Sequence, residues 1–265
     1  MPSTYTTIGP VTLQTFTLSL ALAVLLSIGI GLRRARMAYR AGPVADAYLM
    51  ALIVGVVLAR AGHVLLSWDY FADNTGEIFQ MSMGGLDWHG AVIGGVLGLV
   101  IAARLRGARF ADLLDALTPA LPLIGLAGWW GCWASACGYG AEVDTLANYP
   151  SLVVTEGADI FGIVAPRWNT QLFGLGLSLF ALLVALLLLW SGWLRYRRFW
   201  FVLALLSAGM FGLGFLRGDH SLFIMGLRAD QLADAMLLVI SIGGLLVSRL
   251  METSKQQKGM LRYGG

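Results

Sequence analysis

Seven apolar runs, separated by short polar junctions, dominate this chain, and its basic residues gather at every second junction. A bilayer's hydrocarbon is about 30 Å thick and takes about 20 helical residues to cross. The runs lie at about 11–32, 46–67, 85–103, 113–136, 170–190, 199–216 and 231–247, each near that length. Lipid cannot satisfy free backbone N–H and C=O groups, so such runs are expected as helices. With 58% hydrophobic and 12% charged residues and a mean hydropathy of +0.75, the sequence excludes a soluble globule. The reading is an all-α, polytopic membrane protein of seven transmembrane helices, forming a single integral membrane domain over residues 1–265. The first ten residues carry no Lys or Arg ahead of the first run, so that run reads as a span rather than a cleaved signal peptide.

Arg33, Arg34, Arg36 and Arg40 follow the first run; Arg104, Arg106 and Arg109 the third; Arg195, Arg197 and Arg198 the fifth; Arg249, Lys255, Lys258 and Arg262 the last. Basic junctions stay cytoplasmic, which places the N-terminus outside and the C-terminus inside. Residues 137–169, with Glu142, Asp144, Glu156 and Asp159 against one Arg167, form the largest external segment on this reading.

Arg60, Arg167, Arg217 and Arg228 depart from the cytoplasmic bias. Arg60 falls inside the second run, where a guanidinium costs about 2.5–3.5 kcal/mol unless it meets a partner or a wet cavity; snorkelling to the headgroups is the alternative. His63 lies one turn on. Arg217 at the external surface suits bidentate binding of a lipid phosphate, or a simple pair with Asp219. The stretch GGLDWHGAVIGG, residues 84–95, holds His89 between glycine pairs at the mouth of the third run. A neutral imidazole there is a natural proton acceptor for a thiol or hydroxyl. Gly84, Gly85 and Gly90 admit a close approach of a lipid headgroup, whereas Gly94, Gly95 and Gly98 read as helix-packing positions. Cys132 and Cys137, the only cysteines, read as small packing residues, with a disulfide as the alternative, and their spacing is a poor zinc pattern. Most tryptophans fall at span ends, as an interfacial belt does; Trp129 and Trp130 lie in a glycine-rich part of the fourth run. No metal or cofactor is expected. Lys255 and Lys258 are the only lysines and lie in the tail, which excludes a retinal Schiff base within a span. No matched pair of broken helices suggests a transporter.

GGLDWHGAVIGG resembles GGLSFHGGLIGG, the glycine–histidine motif of the prolipoprotein diacylglyceryl transferases. Residues 58–64 (LARAGHV) resemble that family's GARLYYV, and ADLLDALTPALPLIGLAG its approach to the signature. Gly131, Cys132, Tyr139 and Gly140 match parts of the signature GRxGCFxNGxxYGR. Thr170, Gln171 and Leu172 resemble part of HPTQLYE, and FLRGDHSLFIMGLRADQL a common form of the last external loop. The resemblance covers most of residues 50–250. It implies an enzyme of the bacterial inner membrane that moves the diacylglyceryl group of phosphatidylglycerol onto the lipobox cysteine of a prolipoprotein signal peptide and releases glycerol phosphate. Its partners would be those two substrates and the membrane, with no nucleic acid, and the protein would act as a monomer. His89 would be the catalytic base, with Arg60, Gly84, Gly85, Gly90, Gly131, Tyr139, Gly140, Gln171 and Arg217 binding substrate. The sequence departs from the family pattern at Trp129 and Met210, where the family has arginines, at Gly174 and Gly214, where it has glutamates, and at Ala141. Those departures motivate an alternative, an accessory protein that binds lipid or signal peptide without turning it over.

Overall fold

In a computed structural model the chain is described over residues 4–8, 11–37, 41–80 and 85–263; Gly84 and Arg40 lie outside the described residues. Strands β1 (Tyr5–Ile8) and β2 (Val11–Gln14) form a hairpin ahead of α1 (Thr15–Met37) and α2 (Ala41–Leu66). The short α3 (Trp68–Asp73) leads to α4 (Trp88–Arg106), α5 (Phe110–Leu117) and α6 (Ala120–Ser135). A second hairpin, β3 (Val154–Ala158) with β4 (Val164–Trp168), precedes α7 (Thr170–Ser191) and α8 (Arg198–Gly214). A third, β5 (Phe223–Ile224) with β6 (Leu227–Arg228), opens into α9 (Ala229–Tyr263).

Among the described residues, six helical stretches are long and apolar enough to cross a membrane: Thr15–Ala35, Ala41–Leu66, Trp88–Arg106, Phe110–Ser135, Thr170–Ser191 and Ala229–Leu250. The protein is a mostly helical, polytopic membrane protein. Helix α8, expected as the sixth of seven spans, is apolar but has 17 residues, or about 25 Å at the helical rise, just short of the hydrocarbon thickness. The fourth stretch is two helices because Thr118 and Pro119 interrupt it: proline brings no N–H to the ladder. The first helix starts at Thr15, four residues after the expected start at Val11, because Val11–Gln14 pairs with Tyr5–Ile8.

The closest helix contact, α2 on α4, depends on glycine. A Cβ at Gly90 would lie 2.3 Å from the Leu58 carbonyl oxygen, one at Gly94 2.4 Å from that of Val54, and one at Gly98 2.4 Å from that of Met50. Backbones that approach this closely gain dispersion in a solvent where apolar burial offers little. Gly90, expected to leave room for lipid, is therefore occupied by α2. Gly131 is likewise filled, by Phe16 of α1. Deeper in the bundle, Tyr48 of α2 donates to the carbonyls of Ser27 and Ala116 at 2.7 and 3.1 Å, tying α1 and α5 to α2.

Helix α4 is bounded as its sequence prescribes. Asp87 caps the N-terminus by accepting from the Gly90 N–H at 2.6 Å, and Gly107 ends it at φ 57°. Cys132 and Cys137 are joined by a disulfide, which corrects their reading as separate packing residues. Helix α6 ends at Ala136 in the left-handed region, and the Cys137 N–H folds back to the Cys132 carbonyl at 3.0 Å; that turn brings the two side chains together.

Gly94→Leu is expected to cost about 1–3 kcal/mol by overpacking and to lower the thermal midpoint in detergent. Gly95→Leu, where a Cβ meets nothing within 4 Å, should leave it unchanged. Thiol-alkylating probes should label the unreduced protein at neither cysteine and label both after reduction.

Candidate active site

The C-terminal ends of α2, α6 and α8 and the N-terminal ends of α4, α7 and α9 meet at one end of the bundle, where the polar side chains collect. His89, in the first turn of α4, is buried between two carboxylates. Its Nδ1 lies 3.3 Å from Asp87 Oδ1 and its Nε2 3.1 Å from Asp234 Oδ1. Asp87 precedes α4 and Asp234 comes from α9, so the imidazole bridges elements 145 residues apart. Burial raises the Asp87 pKa, but hydrogen bonds with His89 and the Gly90 N–H outweigh it and hold that carboxyl below the usual range. The Asp87 N–H donates to the Ala59 carbonyl at 2.9 Å, which fastens the cap to α2.

Asp230, one turn before Asp234, opens onto a cluster of two arginines and two aspartates. Arg217 donates to both oxygens of Asp219 at 2.8 and 2.5 Å, and its Nη1 lies 2.8 Å from Asp230. Arg228 contacts Asp230 at 3.0 Å, the Asp219 carboxylate at 3.2 Å and the Asp219 carbonyl at 2.8 Å. Burial works against the Arg217 charge, yet Asp219, Asp230 and Asp234 hold its pKa above the ordinary guanidinium value. Each acid faces two cations, so the charges of the cluster offset one another. His220, beside it in sequence, is exposed.

Arg60 does not join this cluster. Its Nε donates to the Ile78 carbonyl at 2.7 Å, Nη2 to that of Glu77 at 2.7 Å and Nη1 to that of Gly85 at 3.1 Å, and the guanidinium lies 5.3 Å from the Phe71 ring centre. This intramembrane arginine has the partners that its cost requires, and among the described residues they include the backbone carbonyls of Glu77, Ile78 and Gly85. Gly85, at φ 81°, allows that approach: a Cβ there would lie 2.6 Å from both Arg60 Nη1 and the His63 ring.

Tyr139, Gly140 and Gln171 belong to a neighbouring cleft. The Ala141 N–H donates to Leu216 and the Gly218 N–H to Tyr139, each at 2.8 Å, while the Trp168 N–H donates to Ala141 at 3.1 Å. Residues 139–143 thus run as a strap between β4 and the Arg217 segment. Only glycine fits at 140, where a Cβ would lie 2.0 Å from the Trp168 carbonyl oxygen. Arg167 lies 5.0 Å from the centre of the Tyr139 ring and pairs with Glu142 at 2.7 Å and Asp159 at 3.3 Å. Burial and the Asp159 and Asp219 carboxylates push the Tyr139 phenol up. Gln171 donates to the Cys137 carbonyl at 3.1 Å and Thr170 to that of Gly138 at 2.6 Å, so the start of α7 holds the disulfide turn. Tyr139, Gly140, Arg167, Gln171, Trp133 and Trp168 line the cleft.

Trp129, Gly174 and Gly214, three of the expected departures from the family pattern, sit in packed contacts. Trp129 is buried over Gly174, where a Cβ would lie 2.1 Å from the indole; at Gly214 a Cβ would lie 2.3 Å from Gln231.

Of the residues expected at the site, the structure brings together His89 and Arg217, with Tyr139, Gly140 and Gln171 adjoining through the strap. Asp87, Asp234 and Asp230 were not anticipated. Asp230 and Asp234 stand at the head of the last apolar run, and an acid at that position is itself a signal of an internal partner.

Fold and site define a polytopic membrane protein with an imidazole, two carboxylates and a balanced arginine cluster at one end of its bundle. The sequence model described as prolipoprotein diacylglyceryl transferase matches residues 3–247. A phosphatidylglycerol–prolipoprotein diacylglyceryl transferase of Geobacillus kaustophilus is 30% identical over 251 residues, covering 91% of this chain and 90% of the relative. Proteins of the same name from Shouchella clausii and Lysinibacillus sphaericus are 30% and 26% identical, with 92% of this chain covered in each case and 88% and 90% of the relatives. The chain belongs to the prolipoprotein diacylglyceryl transferase family.

Arg60→Ala should free the Glu77, Ile78 and Gly85 carbonyls and make residues 74–80 sensitive to limited proteolysis at protease levels that leave the parent intact. Arg60→Lys, with a single ammonium in place of a planar fork, should restore only part of the protection.

Proposed function

We propose that this protein transfers the diacylglyceryl group of phosphatidylglycerol to the lipobox cysteine thiol of a prolipoprotein, as a multi-pass enzyme of the bacterial inner membrane. The observation that carries the reading is His89, fixed between two carboxylates of which Asp234 also feels the charge of Arg217, in a chain whose relatives bear that activity in their names. A thiol of pKa about 8.5 is mostly protonated at neutral pH. His89 takes its proton, and the sulfur attacks the glyceryl carbon. A C–S bond forms, the C–O bond to phosphate breaks, and its electron pair leaves on glycerol phosphate. That anion later takes the proton from His89.

Arg217 is the group suited to the phosphate. A guanidinium has five donors, and contacts to Asp219 and Asp230 do not exhaust them. Arg228, nearly fully buried, supports the same acids. Arg60 holds the Glu77, Ile78 and Gly85 carbonyls, and Gly85 allows it to do so; Gly90 and Gly131 serve helix packing. Tyr139, Gly140 and Gln171 shape the adjoining cleft for the acceptor peptide.

We read α8 as a seventh crossing, with the N-terminus outside and the C-terminus inside, and the whole chain as one membrane domain acting as a monomer. The basic groups at the opposite end of the bundle support this: Arg34 on the Leu189 carbonyl, Arg106 on Asp46, and Arg198 on Asp115. The alternative, an accessory protein that binds without turnover, is favoured by one observation: buried Trp129 over Gly174 fills a site at which the family carries charge.

In a bacterium depleted of its own transferase, the parent protein should restore lipoprotein maturation and His89→Ala should not. With purified protein, Arg217→Ala should lower the release of glycerol phosphate about 10²-fold, the worth of a charge-assisted hydrogen bond of about 1.5–3 kcal/mol. Lipid binding with no release by the parent protein would establish the accessory reading.

A further inference from the structure

We propose that Asp234 is a positioning residue for His89: it accepts the Nε2–H, fixes the imidazole tautomer and leaves Nδ1 to take the proton of the acceptor thiol. The inference rests on the transferase reading above.

Asp234 and Asp230 are one helical turn apart on α9 but differ in their partners. Asp230 is held by Arg217 and Arg228. Asp234 is 4% exposed, and its hydrogen-bonded partner is His89 at 3.1 Å. A buried aspartate at the head of a membrane span is costly unless something inside the bundle needs it, and the imidazole is what it faces. Arg217 is close enough to act on Asp234 electrostatically, though it is paired with Asp219 and Asp230.

The two carboxylates at His89 are not equivalent. Asp87 spends Oδ2 on the Gly90 N–H at 2.6 Å, the cap of α4, and Oδ1 lies at the longer distance of 3.3 Å from Nδ1. Its side chain is 14% exposed against 6% for Asp234. The Nδ1 edge is therefore the more open one, and the Nε2 edge is closed by α9. A neutral ring carries one proton and one lone pair, and the nitrogen that keeps the proton is set by the acceptor opposite it. With the proton on Nε2 toward Asp234, the lone pair is on Nδ1. When the thiol S–H bond breaks, the new N–H forms at Nδ1, where Asp87 Oδ1 accepts it. The sulfur electrons form the bond to the glyceryl carbon, the phosphate leaves with the C–O pair, and the Nδ1 proton passes to that phosphate. His89 then returns to the Nε2–H form.

The test uses the full-length protein in detergent with phosphatidylglycerol and a lipobox peptide. Asp234→Asn should lower kcat about 10²-fold, within the usual worth of acid–base catalysis, and leave KM for both substrates within about twofold, as expected when an interaction made only in the transition state is lost. The double variant His89→Ala/Asp234→Asn should be no slower than His89→Ala alone, because Asp234 acts only through the imidazole. In ¹⁵N-histidine-labelled protein, the parent should show His89 as the Nε2–H tautomer when one ring proton remains, and Asp234→Asn should show a mixture. Additive losses in the double variant, a defect confined to KM, or an unchanged tautomer would each overturn the proposal. If the parent makes no product, the transferase reading fails by itself, and the tautomer comparison still decides whether Asp234 sets the ring.

Discussion

The polar end of this bundle depends on charge being balanced inside the protein, because most of its charged groups are buried or half-buried there. His89 lies between Asp87 and Asp234, while Arg217 and Arg228 share Asp219 and Asp230. None of these pairs is an isolated contact. Removing one member of a buried pair leaves a charge whose desolvation costs about 3–5 kcal/mol, so the groups fix one another and, through them, the ends of α4, α8 and α9. Groups that fix one another in this way are preorganised, which favours electrostatic work in a medium of low dielectric.

The glycine seam between α2 and α4 is the apolar counterpart of that polar constraint. It draws two backbones together along much of their length, so that Arg60 of α2 reaches the strap leading into α4 and the Asp87 N–H reaches the Ala59 carbonyl. Packing by small residues and positioning of the histidine are thus the same event. The strap at residues 139–143, fastened on one side to β4 and on the other to the Arg217 segment, links the disulfide turn to the arginine cluster in a similar way.

Trp129 over Gly174 and Gln231 against Gly214 show two helix contacts that are closed by packing. In each case a large side chain from one helix occupies the volume opened by a glycine on another. Well-packed groups can hold such a site as stably as a buried ion pair of similar volume.

The sequence by itself determined the membrane-spanning class and the positions of the long apolar helices to within a few residues, because hydrocarbon imposes a length and an internal hydrogen-bonding rule that are visible in one dimension. It also marked Arg60 and Arg217 as arginines in unusual places. The partner of each, however, depended on which helix ends meet. Arg60, expected to bind substrate, donates to the carbonyls of Glu77, Ile78 and Gly85, and which carbonyls its guanidinium meets is a tertiary matter. Asp234 stands far from His89 along the chain and beside it in space. The disulfide required the left-handed turn at Ala136. Hydropathy and spacing fix which residues are in the membrane; only the packing of α9 against α4 decides which carboxylate the histidine meets.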